Sequence, residues 1–192
     1  RGEALAAYYR GGMDRVASKV SAIPRGERPR VLVLQASGGG WEVPPASWMQ
    51  SILAERAGGE PVWRDANPGS GWAKVGPEQI AAWNPDAIFV INYREKAEAS
   101  AAALRADPAL ASLRAAKAGR IHAFPQDFYS WDQPDSRWIL GLSWMAKKLH
   151  PSRFADLSVA AEAERFYAFA YGFDKARYEG AVKPRLPGGL DD

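Results

Sequence analysis

At 192 residues, 47% of them hydrophobic, the chain is long enough for one substantial domain with a real core. The net charge of +3 and the pI near 9.2 do not indicate a nucleic-acid-binding protein, because basic and acidic residues are interleaved rather than clustered. The absence of cysteine excludes disulfides and thiolate metal sites. No apolar run approaches the roughly 18 to 20 residues that a membrane-spanning helix needs.

The first predicted element is one long helix over residues 1–24. Apolar side chains recur along it at helical spacing, namely Leu5, Tyr9, Val16, Val20 and Ile23. Pro24 ends the helix, and the adjacent glycines Gly11 and Gly12 weaken its middle. We therefore expect a slightly bent helix that lies against other elements.

The next predicted elements alternate between strand and helix. Residues 28–41, RPRVLVLQASGGGW, have the pattern of a buried strand that delivers a glycine-rich loop at its carboxyl end. A helix follows over 45–60 and stops at its terminal glycines, and residues 61–63 fit a short strand. Residues 76–93 predict a helix that breaks before Pro85 and then a strand over 87–92.

The second half of the chain continues this alternation. Residues 97–119 predict two helical pieces, which Pro108 separates. A strand over 120–125 is followed by a strongly apolar helix over 135–149. The last long helix covers 158–173, and a tail rich in proline and glycine ends the chain.

This order of elements predicts a three-layer α/β fold. Strands that alternate with helices need crossover connections, which give a mostly parallel central sheet covered by helices on both faces. In such sheets ligands meet the loops at the carboxyl ends of the strands. Those loops are SGGGWE at 37–42, NYRE at 92–95 and PQDFYSWDQ at 125–133, and aromatic and polar residues gather on all three.

The sequence contains no clear motif for nucleotide binding, hydrolysis or metal binding. The triple glycine fits neither GxGxxG nor GxxxxGK[ST], and no GxSxG occurs. A catalytic triad would have to use His122, inside a strand, or His150, at a helix end beside two lysines. No cluster of imidazoles and carboxylates suggests a bare metal site, so we expect any metal to arrive inside an organic complex. The sequence therefore favours a binding protein over an enzyme.

The eight tryptophans are the strongest signal, because aromatic faces hold large flat ligands well. Four of them lie on predicted helices, where core packing is the better interpretation: Trp48, Trp83, Trp138 and Trp144. For the aromatic residues on glycine-rich or polar loops, pocket wall and core packing stay open: Trp41, Trp72, Tyr129 and Trp131.

Three stretches, taken in order, resemble a known family. Residues 71–90 (GWAKVGPEQIAAWNPDAIFV), 113–151 (LRAAKAGRIHAFPQDFYSWDQPDSRWILGLSWMAKKLHP) and 162–174 (EAERFYAFAYGFD) are similar to the C-terminal lobe of class III periplasmic substrate-binding proteins. That family, which has a TroA-like fold, delivers iron-siderophores, haem and cobalamin to ABC importers. The similarity runs from the first helix to Phe173.

The resemblance implies two α/β lobes joined by a long helix, with the ligand clamped between them. Residues 1–24 would be the interlobe linker helix and 25–192 the C-terminal lobe, with the N-terminal lobe and any targeting segment absent from this chain. The protein would have no enzymatic activity and no intrinsic cofactor. Its ligand would be a metal complex, with a ferric siderophore as first choice, and its partner a membrane permease. It would lie at the periplasmic or extracellular face, lipid-anchored or free in the full-length protein.

The resemblance also implies site residues. The ligand contacts would be Trp41, Trp72, Tyr93, Arg94, Tyr129, Trp131 and Asp132. Glu78 resembles a surface glutamate that pairs with permease arginines, although a first-turn acid favoured by the helix dipole explains it equally well. The loop before the apolar helix would be pocket wall, anchored by Trp138, Leu142, Met145 and Leu149, with Asp132 or Asp135 capping the helix.

Two alternatives remain at this point. A carbohydrate-binding or carbohydrate-processing domain would also expose tryptophans, but a glycosidase needs two carboxylates facing each other across a cleft, and only Asp127 and Asp132 share a loop. A lone α/β interaction module would bind no small ligand near its tryptophans.

Overall fold

The computed structural model describes residues 2–191, in which strands and helices alternate along most of the chain. The strands are β1 (Arg30–Ser37), β2 (Gly40–Val43), β3 (Glu60–Pro61), β4 (Ala73–Val75), β5 (Ala87–Ile91) and β6 (Ile121–Ala123). The helices are α1 (Gly2–Val20), α2 (Met49–Arg56), α3 (Pro77–Trp83), α4 (Ala97–Ala106), α5 (Arg114–Lys117), α6 (Trp138–Leu149), α7 (Val159–Tyr171) and α8 (Lys175–Ala181). Short 3₁₀ turns cover Arg25–Glu27, Pro108–Leu110 and Lys183–Arg185.

The strands form one mixed sheet in the order β4-β2-β1-β5-β6, with β3 paired to the start of β1. Strand β1 runs parallel to β3 and β5, and β5 runs parallel to β6. The remaining pairs, β1 with β2 and β2 with β4, are antiparallel. The predicted α/β fold with a mostly parallel sheet between helices is therefore confirmed, and the carboxyl ends of β1, β5 and β6 lie at one edge.

The two central strands form the middle of the core. Residues 31–34 of β1 and all of β5 are fully buried. Because successive side chains of a strand point to opposite faces, an unbroken buried run means that both faces of the sheet are covered. Helix α6 contributes nine buried residues, and its Trp144 ring lies 5.4 Å from the Phe89 ring of β5.

Helix α1 is shorter than the predicted 1–24. It ends at Val20, and a turn over 21–23 leads to Pro24, while Arg1 lies outside the described residues. The paired glycines do not interrupt it. At Gly12 a Cβ atom would lie 2.8 Å from the Ile139 side chain of α6, so this glycine lets the two helices approach closely. That α1 joins two lobes remains a prediction.

The triple glycine forms a hairpin and not the expected loop between a strand and a helix. Gly38 and Gly39 have φ angles of 54° and 81°, which glycine adopts without steric cost. They turn the chain so that Ser37 pairs with Gly40 and β2 runs back along β1. Two consecutive positive φ angles are what a tight two-residue hairpin requires, so the turn chemistry was present in the sequence.

The C-terminal third differs from the prediction in two places. Helix α6 begins at Trp138 and not at 135, and neither Asp132 nor Asp135 caps it, since Asp135 accepts from the Arg137 backbone N–H before the helix starts. Helix α8 was not expected, and its N-cap is Asp174, whose side chain accepts from the backbone N–H of Arg177 at 2.8 Å. Within residues 2–191, none of the helices has the length and apolarity to cross a membrane.

Candidate ligand-binding site

A concavity of about 550 Å³ opens beside Tyr93, two residues beyond the carboxyl end of β5. We call it the aromatic concavity, after Trp48, Trp72 and Tyr93. The ring centroids of Trp48 and Trp72 are 5.7 Å apart and perpendicular, and Trp72 lies 6.1 Å from Tyr93. The lining is completed by neutral side chains: Ser47, Met49, Gln50, Ile52, Gln133 and Pro134.

The loop that presents Trp72 is held by a buried asparagine. Asn67 Nδ2 donates to the carbonyl oxygens of Val43 and Gly71, at 2.9 and 2.8 Å, and its Oδ1 accepts from the Gly69 backbone N–H. These bonds fasten residues 67–71 to the end of β2. Trp72 then leads directly into β4, which pairs with β2, so the indole is fixed at both ends of its loop.

Tyr93 and Gln50 rest on a buried carboxylate, Asp132. The Tyr93 hydroxyl donates to Asp132 Oδ2 at 2.5 Å, and Gln50 Nε2 donates to the same oxygen at 2.8 Å. Ser130 donates to the other oxygen. Gln50 Nε2 also reaches the Tyr93 oxygen at 3.2 Å, while Gln50 Oε1 is buried without a hydrogen-bond partner. Residues from α2, the β5 loop and the loop before α6 therefore form one connected network.

The electrostatics of this network keep Tyr93 protonated. Burial, the charge of Asp132 and the hydrogen bond to it together raise the pKa of the Tyr93 hydroxyl well above its usual range. Burial likewise raises the pKa of Asp132, opposed by the hydrogen bonds from Ser130, Tyr93 and Gln50. Tyr93 thus remains a hydrogen-bond donor to Asp132 at physiological pH.

A second concavity of about 450 Å³ lies between the glycine hairpin, the loop after β5 and helix α4. Trp41 and Arg94 both line it, together with Glu95. The backbone after β5 is turned into this position by Asn92, whose Oδ1 accepts from the N–H groups of Arg94 and Glu95 at 2.9 Å each. We call this the hairpin concavity.

The loop over 124–137 has aromatic side chains both in the protein core and on the surface. Trp131 is fully buried, and its Nε1 donates to Asp127 Oδ2 at 2.9 Å. The same carboxylate accepts from the Tyr167 hydroxyl at 2.6 Å and from Arg137 at 3.1 Å. The interpretation of Trp131 as a ligand contact is therefore wrong for this structure, because the ring has no exposed surface and instead anchors the loop.

Two other aromatics of this loop face outward. Phe128 and Tyr129 are 50% and 58% exposed. The guanidinium of Arg185 lies 4.6 Å from the Phe128 ring centroid, and that of Arg137 lies 5.1 Å from the Tyr129 ring centroid. These cation–π contacts hold the rings in place but do not cover them. Neither ring lines the aromatic concavity or the hairpin concavity.

The structure brings together some of the residues predicted from sequence and separates others. Trp72, Tyr93 and Asp132 meet in one network, but Asp132 is fully buried and touches the lining side chains from behind. Trp41 and Arg94 share the hairpin concavity. Glu78 is exposed in the first turn of α3 and lines neither concavity.

Trp48 and Gln50 are two of the lining residues that were not predicted. Trp48 was assigned to the core because the helix was expected to start before it, whereas it occupies the N-cap position of α2, where its ring reaches the concavity. Gln50 carries no sequence signal. Its role comes from contact with Asp132, 82 positions away.

The comparisons with known proteins concern the family and the fold. The family model "Periplasmic binding protein" matches residues 1–128, two thirds of the chain. The chain belongs to the periplasmic binding protein family. The molybdate-binding protein MolA of Haemophilus influenzae is 27% identical over 111 residues, which cover 55% of this chain and 31% of that protein.

Solved structures show the same fold. An ABC transporter solute-binding protein of Sulfurospirillum deleyianum is 25% identical, with a TM-score of 0.77 over 94% of this chain and 55% of that one. MolA bound to molybdate gives 22% identity and a TM-score of 0.74, over 90% of this chain and 51% of that one. CeuE of Helicobacter pylori with Ni(II) bound gives 17% and 0.75, over 95% and 56%. The chain spans about half the length of these structures, and the resemblance to class III binding proteins is confirmed.

Proposed function

We propose that this chain is the linker helix and C-terminal lobe of the substrate-binding component of an ABC importer. It holds one side of a metal-organic complex, such as a ferric siderophore, haem or cobalamin, and a second lobe closes over the other side. The observation that carries the proposal is the aromatic concavity at the carboxyl edge of the sheet, where α/β folds bind ligands. The family match supports the same role.

A metal complex fits the site better than a bare ion. Among residues 2–191, no group of three or more His, Asp or Glu side chains is placed to hold a metal ion. Two indole rings and a phenol instead offer apolar faces to an organic shell. Binding and release by closure about α1 would involve no chemical step.

The alternative of a carbohydrate-processing domain has less support. Both acids of the loop, Asp127 and Asp132, have fully buried carboxylates that already accept hydrogen bonds from neighbouring side chains. Neither can face a second carboxylate across a cleft, as glycoside hydrolysis requires. Sugars therefore serve as the comparison ligands in the binding experiment.

The test is calorimetric titration of the chain with a ferric siderophore, haem, cobalamin, molybdate and simple sugars. We expect saturable binding of one metal complex, weakened at least about tenfold by Trp72→Ala, the loss expected when an aromatic contact is removed. Trp83→Ala is the matched control, since Trp83 is equally half-buried but lies on α3 outside the concavity. Binding of sugars alone, or of no metal complex at millimolar concentration, would overturn the proposal.

The proposal also assigns a docking role to Glu78. This exposed acid in the first turn of α3 would pair with a basic residue of the membrane permease at the periplasmic or extracellular face. In the complete importer, Glu78→Arg should reduce transport while ligand affinity is unchanged. Glu98→Arg is the control, because Glu98 is likewise an exposed first-turn acid, on α4. Equal effects of the two variants would contradict the docking role.

A further inference from the structure

The aromatic concavity carries information about the charge of what it binds. None of its lining side chains is charged: the walls are two indoles and a phenol, and the rest are Ser47, Met49, Gln50, Ile52, Gln133 and Pro134. Aromatic faces bear the negative side of the ring quadrupole and attract cations rather than anions. The surface itself thus offers nothing that would neutralise an anionic ligand.

The carboxyl group of Asp132 lies directly behind this surface. Asp132 is 0% exposed, and its three side-chain partners, Ser130, Tyr93 and Gln50, are all neutral. In the described part of the chain it forms no ion pair, unlike Asp127, which has Arg137. All three partners donate to it, the arrangement that an ionised carboxylate needs, and these hydrogen bonds oppose the rise in pKa that burial causes. A buried charge without a counter-ion acts strongly on nearby groups, because little water screens it.

The hydrogen-bonding groups are also oriented for a ligand that is not an anion. An oxyanion site needs convergent N–H or O–H donors. Here the Tyr93 hydroxyl donates to Asp132, and Gln50 Nε2 donates to Asp132 and to the Tyr93 oxygen. The unpaired atom of this network is Gln50 Oε1, an acceptor. Ser47 and Gln133 add a neutral hydroxyl and a neutral amide, each of which can donate as well as accept.

The basic residue that follows Tyr93 in the sequence does not add a positive charge to the aromatic concavity. Arg94 follows Tyr93, but its side chain lines the hairpin concavity, where Glu95 lines the same wall. Arg137 is engaged with Asp127 and Asp135. The two sides of β5 therefore differ: one has a basic and an acidic side chain, and the other has aromatic rings over the buried carboxyl group of Asp132.

We infer that the aromatic concavity accepts a neutral or cationic face of a metal-organic complex and rejects oxyanions and polyanionic complexes. This inference rests on the proposed function and on an ionised Asp132, and it narrows the ligand class. It separates this chain from its relative MolA, whose name states molybdate as ligand. Among iron complexes, neutral or cationic hydroxamates would bind, and trianionic catecholates would not.

The test uses ferric complexes of similar size and different charge. The chain is titrated by calorimetry with a neutral ferric trihydroxamate, a monocationic one with a pendant ammonium group, a trianionic ferric tricatecholate, and molybdate. We expect the neutral and cationic complexes to bind at least about tenfold more tightly than the trianionic one, and molybdate not to bind.

Two variants locate the source of the selection. Asp132→Asn removes the buried charge and keeps the shape, so the preference for cation over trianion should shrink by roughly tenfold. Glu95→Gln removes an equal charge from the hairpin concavity and should leave the preference unchanged. If Asp132→Asn does not fold, the relative affinities of the wild-type chain for the cationic, neutral and trianionic complexes still decide the question.

The outcomes separate the two proposals. Equal or tighter binding of the trianionic complex or of molybdate would overturn the charge inference and leave the binding function standing. An equal response of Asp132→Asn and Glu95→Gln would also overturn it. Absence of binding by every complex would overturn the proposed function, and the charge inference with it.

Discussion

Gly141 of α6 lies against the main chain of Trp131. A Cβ atom at Gly141 would come within 3.0 Å of the Trp131 carbonyl carbon and closer still to its oxygen, and it would also press on the Phe124 ring. The loop that supports the aromatic concavity is therefore seated directly on the helix, and only a residue without a side chain allows that approach.

This contact makes Gly141→Ala a sensitive substitution. The neighbouring atoms are backbone, so the loop must move, and we expect a loss of about 1–3 kcal/mol in the free energy of unfolding. Ligand affinity should fall as well, because Asp132 follows Trp131 on the displaced loop. Gly180→Ala in α8 is the control, since no other atom lies near its Cβ position; it should gain up to about 1 kcal/mol. Urea denaturation measures both, and equal stabilities would refute the contact.

Tyr9 connects α1 to the same loop. Its hydroxyl donates to the Ser136 carbonyl oxygen at 2.7 Å, and its ring stacks on Trp138 at 5.2 Å. We predict that Tyr9→Ala accelerates amide hydrogen exchange over residues 127–137, while Tyr9→Phe, which keeps the stack, loses only about 1 kcal/mol of stability. Tyr8→Ala serves as control, because Tyr8 stacks on Phe169 instead. Similar exchange in all three variants would show that α1 does not restrain the loop.

Asp127 is the ionic anchor of the loop. Its buried carboxylate accepts from Trp131, Tyr167 and Arg137, and Arg137 is itself nearly buried. Asp127→Asn should cost about 3 kcal/mol, because a buried charge pair is broken while the guanidinium stays in place. Tyr167→Phe removes one hydrogen bond and should cost about 1 kcal/mol. The two urea midpoints, measured side by side, would contradict the anchor role if Asp127→Asn were the milder variant.

His122 predicts a specific pH dependence of stability. Burial, followed by the nearby charges of Lys148, Arg120 and Arg105, lowers the pKa of His122 from 6.5 to about 4. The unfolded chain therefore takes up this proton before the folded chain does. Stability should fall as the pH drops from about 6.5 to about 4, by up to about 3 kcal/mol from this group.

Comparison with His122→Leu isolates that contribution. The variant should lose stability less steeply over the same pH range, measured by thermal or urea unfolding at several pH values. The remaining dependence would include His150, whose pKa burial also lowers. Parallel stability curves for the wild type and the variant would exclude His122 as a titrating group.

The sequence by itself determined the elements whose pattern is local. The apolar run at 31–34, the strand after Pro85 and the apolar helix over 138–149 follow from periodicity and from proline, and the phrases at 71–90 and 113–151 were enough for the family. The hairpin at Gly38 and Gly39 was also encoded locally, as two residues free to adopt positive φ, although a loop leading to a helix was predicted there.

Only the tertiary structure decided which aromatic residues line the aromatic concavity. Trp131 was expected to contact the ligand but is buried. Trp48 was expected in the core but lines the aromatic concavity. Asp132 lies behind the site because Gln50 and Tyr93, from two distant segments, donate hydrogen bonds to it. The direction of a loop side chain depends on partners far along the chain, and neither composition nor spacing records those contacts.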